Sequence, residues 1–200
     1  MNKSYHHGNL RIALIEAGIE IINKDGLNQL SLRKTASLCN VSHAAPYSHF
    51  NNKEELLEAM QNHVASRFTA LFEDIIENSD KACPDVIKKM GAAYISFFID
   101  NPKYFNFLFF KGNMKINLSI KESEKDSFSA FQIFKETAIK IFKNLGMSEE
   151  QIQNLIIINW AIVHGIASIA TMKGVTYDKD WKAKIEELLC LENCKPSNCL

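Results

Sequence analysis

The sequence predicts an all-α chain in two parts, a three-helix helix-turn-helix at the amino end and a larger helical part after it. Three observations predict this. Apolar residues recur at helical spacing through most of the chain. Leu30 to Phe50, LSLRKTASLCNVSHAAPYSHF, reads as two short helices joined by a tight turn. The one alternating run, Phe105, Phe107 and Phe109, has no partner strand elsewhere and so favours a short helix.

From Tyr5 to Lys24, Ile12, Ile15, Ile19 and Ile22 recur at helical spacing beside Ala13 and Ala17, and Asp25-Gly26 ends this first helix. The second begins at Ser31, whose hydroxyl can cap orphan amides, and carries Leu32, Thr35, Ala36 and Leu38 as one buried stripe. Asn40 breaks it and Val41 plugs the turn. Ser42 offers a second cap before His43 to Phe50, in which Ala45 and Phe50 face inward while His43, Ala44, Tyr47, Ser48 and His49 face outward. Pro46 removes an amide at the fourth helical position, so this helix is expected to be short and irregular. A B-form major groove admits one helix, small residues let its backbone approach, and tyrosine and histidine reach phosphates or base edges. An ordinary helical hairpin is the plainer alternative.

Asn51 or Asn52 caps the next helix, which runs through Leu56, Met60, Val64, Phe68, Phe72 and Ile75 to about Asn78. Lys53 in its first turn is electrostatically odd, since helix starts prefer acids, unless that terminus points at a phosphate. Pro84 opens a helix through Asp100, and Asn101-Pro102 caps the short one containing YFNFLFF. Lys111 to Asp126 is a polar connection. A helix through Phe128, Phe131, Phe134, Ala138 and Phe142 stops at Leu145-Gly146, and Ser148 with Gln151 has capping-box spacing for the longest apolar helix, Glu149 to Lys173. Asp178 caps a last helix through Trp181, Ile185 and Leu189.

Tyr5 to Leu57 resembles the amino-terminal domain of TetR-type transcriptional regulators, through YHHGNLR at its start and VSHAAPYSHF in the recognition segment. Trp160 to Gly165, WAIVHG, is similar to a Trp-x-x-x-His-Gly signature in the carboxyl-terminal domain of one branch of that family. The resemblance implies a ligand-responsive repressor that binds double-stranded operator DNA as a homodimer. It divides the chain into a DNA-binding domain over residues 1–52, a helical ligand-binding and dimerisation domain over 53–191, and an irregular tail over 192–200. On this reading Tyr47, His49, Lys53, Ser31 and Arg33 hold phosphates, with Ser42 at the helix start, and His43, Ala44 and Ser48 read bases. The matching lysine contacts the DNA backbone in the family; the plainer reading of Lys53 is a tolerated surface lysine.

Formal net charge is zero, but the chain is +3 through Lys53 and −3 beyond, and five of six histidines fall in the first 63 residues. Such asymmetry is only a weak argument for nucleic acid. Five cysteines without scaffold density suit a reducing cytoplasm, and no leader is expected at the amino end. Leu155 to Met172 is interrupted by Asn159, His164, Ser168 and Thr171, so it is expected to be a buried helix and not a membrane span. No cofactor, metal or catalytic constellation is expected. Cys190, Cys194 and Cys199 match no zinc spacing.

Twelve of thirteen phenylalanines follow the recognition segment. Aromatics in such numbers usually make core, but as a set they could line an apolar cavity for a small-molecule effector. The candidate lining is Tyr94, Phe97, Phe98, Tyr104, Phe105, Phe109, Phe128, Phe131, Asn159, Trp160 and His164. Trp160 and His164 share one helix face, and Gly165 in mid-helix, about 1 kcal/mol worse than alanine, points to close approach by another helix or a ligand. The long helix is apolar almost all round, which calls for a partner subunit: it and the last helix would form a four-helix interface across a two-fold axis.

Overall fold

The computed structural model describes residues 10–80, 83–111, 116–120 and 129–190, and these are helical with no strand among them. Eight α-helices follow in order: α1 Leu10–Asp25, α2 Leu32–Leu38, α3 Lys53–Glu77, α4 Asp85–Asp100, α5 Pro102–Phe105, α6 Ser129–Asn144, α7 Glu149–Thr171 and α8 Trp181–Cys190. Short 3₁₀ turns lie at Leu27–Gln29 and Ala45–Ser48, and α5 runs into a π-helical turn, Asn106–Lys111. The chain divides into two compact units. Unit 1 holds the chain up to Arg67 with the segment from Lys103 to Met114, and unit 2 holds Phe68 to Pro102 with everything from Lys115 onward.

In unit 1, α1 buries Leu14, Ile15, Ile19, Ile21 and Ile22, while Ile12, expected on that face, is exposed. Gly18 permits the contact of α1 with α3, because a Cβ there would meet Met60 Sδ at 2.7 Å. Ser31 caps α2 as its sequence position predicts, accepting from the Lys34 amide at 3.1 Å. The stripe ends differently from expectation: Leu38 is 46% exposed and Cys39 is buried in its place. Cys39 is the helix's C-cap, and Asn40 takes the left-handed φ of 55° that breaks the helix, so the inward direction shifts by one residue there. The π-helical turn packs back on α1 and buries Phe107 and Leu108.

In unit 2, α4 is the central helix, in contact with α6, α7 and α8. Its core is aromatic: among the described residues Phe68 meets the rings of Phe72, Phe97, Phe98 and Tyr94, with centroids 4.7 to 5.4 Å away. Gly146, at φ 77°, closes α6, and Ser148 with Gln151 forms the full capping box that starts α7. Asp180, and not Asp178, supplies the side-chain acceptor at the start of α8, 3.1 Å from the Lys182 amide.

The chain does not bury α7 as a whole. Ile152, Ile156, Val163 and Ala167 point into unit 2, while Ile158, Ile169 and Met172 are 50%, 44% and 52% exposed. The reason is geometric: its neighbours α4 and α6 cover one face, and its apolar residues occupy more than one. By length and composition it is the one helix among the described residues that could cross a bilayer. A Cβ built on Gly165 would meet nothing within 4 Å among the described residues, so no described helix presses on it.

Candidate DNA-contacting face and ligand cavity

The recognition segment of unit 1 is short and irregular as expected, a single turn of 3₁₀ helix over Ala45–Ser48. Pro46 accounts for this: it lacks the amide that an α-turn would use, and it sits buried at the start of the turn. Ser42 engages through its carbonyl, which accepts from the Ala45 amide at 3.0 Å, and its side chain is exposed. Ala44, without a side-chain bond, holds the N-cap position instead.

Ser31, Arg33, Ser42, His43, Ala44, Tyr47 and Ser48 are all exposed. His43 is held by α2: its Nε2 lies 3.1 Å from Ser37 Oγ, and that hydroxyl donates its proton to Arg33 O at 3.0 Å. With that proton spent on Arg33 O, His43 Nε2–H is the donor of the pair. Ser48 Oγ donates to Ala45 O at 2.7 Å and keeps only acceptor capacity. Tyr47, 53% exposed, is the largest side chain the turn presents to solvent. His49 is half-buried beside Phe50, 6.3 Å between ring centres.

Asn52 Oδ1 caps α3 through the Glu55 amide at 2.8 Å, and Glu55 reaches back to the Asn51 amide at 2.7 Å. Lys53 bonds inside the domain, donating to Leu27 O at 2.9 Å. That bond ties the start of α3 to the turn before α2. It also explains a lysine at a helix start without any phosphate.

A second cluster in unit 1, around Glu16, has no signature in the sequence. This carboxylate accepts from Lys103 Nζ at 2.6 Å, from His63 Nε2 at 2.9 Å and from the Tyr104 hydroxyl, which in turn accepts from Arg67 at 2.8 Å. Burial alone would raise the Glu16 pKa, but the bonds from Lys103, Tyr104 and His63 together hold it below the ordinary value. Burial, and after it Glu16, push Tyr104 up to about 12. Tyr104, Phe105 and Phe109 thus belong to unit 1, with Phe105 fully buried and Phe109 against it at 5.1 Å.

Unit 2 contains a cavity of about 570 Å³. Four of the expected lining residues, Tyr94, Phe131, Asn159 and Trp160, form its wall, joined by Phe68, Phe72, Phe134 and Phe142. Phe97 and Phe98 stand instead behind Phe68, and Phe128 lies outside the described residues. The spacing of Trp160 and His164 does bring their rings together, at 4.9 Å and 38°. His164 Nδ1 lies 2.9 Å from the Tyr94 hydroxyl. Burial lowers the His164 pKa and raises that of Tyr94 well above its ordinary value, so this pair is neutral at pH 7. Lys88 is at the rim and donates to Cys190 Sγ at 2.9 Å. Cys194 and Cys199 lie outside the described residues.

Residues 14–60 match the model of the family described as bacterial regulatory proteins, tetR family. Over those residues the amino-terminal segment is similar to tetR-type regulatory proteins. An uncharacterised HTH-type transcriptional regulator of Haemophilus influenzae is 40% identical over 60 residues, 30% of this chain and 32% of that protein. The nicotine-responsive transcriptional repressor HdnoR of Paenarthrobacter nicotinovorans is 33% identical over 70 residues, 35% of this chain and 36% of that one. The chain thus spans about a third of the length of these two curated relatives. Over nearly its whole length the fold is that of a solved regulator: FadR from Bacillus subtilis, in complex with stearoyl-CoA, superposes with TM-score 0.67 over 90% of this chain and 96% of that one, at 16% identity. The helix-turn-helix segment is therefore followed in the chain by a helical carboxyl-terminal part, the fold also found in this solved regulator.

Proposed function

We propose that the chain is a cytoplasmic, ligand-responsive transcriptional repressor that binds an inverted-repeat operator as a homodimer and is released by a small apolar or amphipathic effector. The observation that carries this is the exposed set on the tetR-type domain, in which His43, Ala44 and Ser48 face outward as base readers. Ser31, Arg33, Ser42, Tyr47, His49 and Lys53 serve as its phosphate contacts, Lys53 after exchanging its bond to Leu27 O for one to DNA. The carboxyl-terminal domain belongs to the branch with the Trp-x-x-x-His-Gly signature, in which Trp160 and His164 belong to the effector site. The nicotine-responsive relative and the regulator bound to stearoyl-CoA support a ligand-controlled mechanism. An effector in the unit 2 cavity prefers one arrangement of the two readers, and α3, which contributes residues to both units, carries that preference to the DNA.

Selection of bound sequences from a random DNA pool tests this directly. An inverted repeat with half-sites about one DNA turn apart, or a multiple of it, is the expected result. Recovery of no sequence at low salt supports the alternative, a helical small-molecule-binding protein that does not bind DNA. Tyr47→Ala is expected to weaken operator binding about tenfold, within the usual range for one contact, and to leave the melting temperature unchanged because the side chain is exposed.

The homodimer rests on the uncovered stripe of α7. Ile158, Ala161, Gly165, Ile169 and Met172 follow one another at intervals of three or four residues, so they form one face, and Gly165 leaves room at its centre for a second helix. With α8 beside it, this face meets its own copy across a two-fold axis. A protein carrying both Ile158→Glu and Ile169→Glu is expected to sediment as a monomer at micromolar concentration where the unchanged chain sediments as a dimer. An unchanged chain that is itself monomeric would remove the dimer from the proposal.

A further inference from the structure

Arginine is scarce in this chain and confined to one part of it: three arginines stand against 20 lysines, and all three, Arg11, Arg33 and Arg67, fall in the first 67 residues. A guanidinium is weakly hydrated and presents a planar fork that meets phosphate through two parallel bonds, which an ammonium cannot do. Two of the three are accounted for. Arg33 is one of the proposed phosphate contacts, and Arg67 donates to the Tyr104 hydroxyl at 2.8 Å. Arg11, the last residue of YHHGNLR, has no role yet.

Its place is set by α1 and the recognition turn. Arg11 is exposed, and its Cζ lies 5.2 Å from the centre of the Phe50 ring, the residue that follows His49. His49 is against the same ring, 6.3 Å between centres, so the guanidinium stands next to a proposed phosphate contact. Among the described residues no carboxylate pairs with it, and the first turn of α1 has no acidic residue. A cation in that turn adds to the positive end of the dipole of a 16-residue helix, an unfavourable arrangement of about 0.3–1 kcal/mol that an anion placed there would reverse. Phe50 is buried, and any long side chain could cover it. Packing therefore explains the reach of Arg11 but not its charge.

We infer that Arg11 is a further phosphate contact of the operator complex, gripping the DNA backbone beside the recognition turn and adding affinity without reading bases. Its stacking on Phe50 restricts the long side chain before DNA arrives, so less freedom is lost on binding. This rests on the proposal that the chain binds DNA, and it adds to that proposal a residue outside the helix-turn-helix.

Arg11→Met and Arg11→Lys separate the charge from the cover. Binding of the full chains to an operator recovered by selection, and to unrelated DNA of the same length, is followed by fluorescence anisotropy over a range of salt. Arg11→Met, which still covers Phe50, is expected to keep the melting temperature, to bind both DNAs about tenfold more weakly at low salt, and to show a salt slope shallower by about one per chain bound. Arg11→Lys is expected to keep that slope and lose only part of the affinity. Unchanged affinity and slope in Arg11→Met would overturn the inference. So would a weakening confined to the operator, which marks a base contact, or one that accompanies a fall in melting temperature and spares the slope, which marks a packing role. No binding of the unchanged chain to any DNA at low salt would instead remove the DNA-binding proposal, and the inference with it.

Discussion

Phe68→Ala is expected to lower the unfolding free energy by about 3–5 kcal/mol, the usual cost of truncating a fully buried aromatic side chain. Phe68 has no exposed surface and packs against the rings of Phe72, Tyr94, Phe97 and Phe98, so its removal takes a shared neighbour from all four. These side chains sit on two helices, and neither can move inward alone to close the gap. Phe68 also forms part of the cavity wall, so the void created merges with one that already exists. Urea denaturation checks the prediction: the midpoint should fall while the slope is retained, as for a change in stability without a change in the surface exposed on unfolding. Leu71→Ala, three residues along the same helix but exposed, is the control and should cost no more than about 0.5 kcal/mol. A comparable loss at both positions would mean that the ring cluster is not a packing centre.

What the sequence made legible was local. Ser31, Asn52, Gly146 and the Ser148–Gln151 box act where their positions said they would, because a cap needs only residues within one helical turn. Trp160 and His164 meet for the same reason: a helix places residues four apart on one face. The partners across the chain were not legible. Tyr104 and Phe105 were expected in the cavity lining, and the fold gives them to unit 1 instead, where Tyr104 meets Glu16 of α1 over a sequence separation of 88 residues. Tyr94, 70 residues from His164, is equally beyond the reach of spacing arguments. Leu38 and Cys39 show the limit at a helix end, where one residue in the left-handed region makes the stripe unreadable. On α7 the pattern reported how many faces are apolar, whereas one chain covers only one of them.

Glu16→Gln is expected to destabilise unit 1 by about 1–3 kcal/mol at neutral pH, because it keeps the shape of the side chain but removes the charge on which three donors converge. Much of the loss should depend on pH. The Glu16 pKa is held below its ordinary value of 4.5, so over that window the unfolded chain binds more protons than the folded one. The stabilisation is then fully present above the ordinary value and is lost as pH falls through the folded value. Melting curves of the two proteins should therefore lie furthest apart at neutral pH and converge in acid. Tyr104 gives an independent signal with the opposite sign. Its proton is retained in the folded state to about 12, first through burial and then through Glu16, so its share of the stability disappears as pH rises through that value. The glutamine variant keeps the burial and loses the carboxylate. An ultraviolet phenolate titration should then show one tyrosine ionising at lower pH than in the unchanged protein, though still above an ordinary tyrosine. An unaltered titration would mean that the Tyr104 hydroxyl is not bonded to Glu16 in solution, and with it would go the acid dependence.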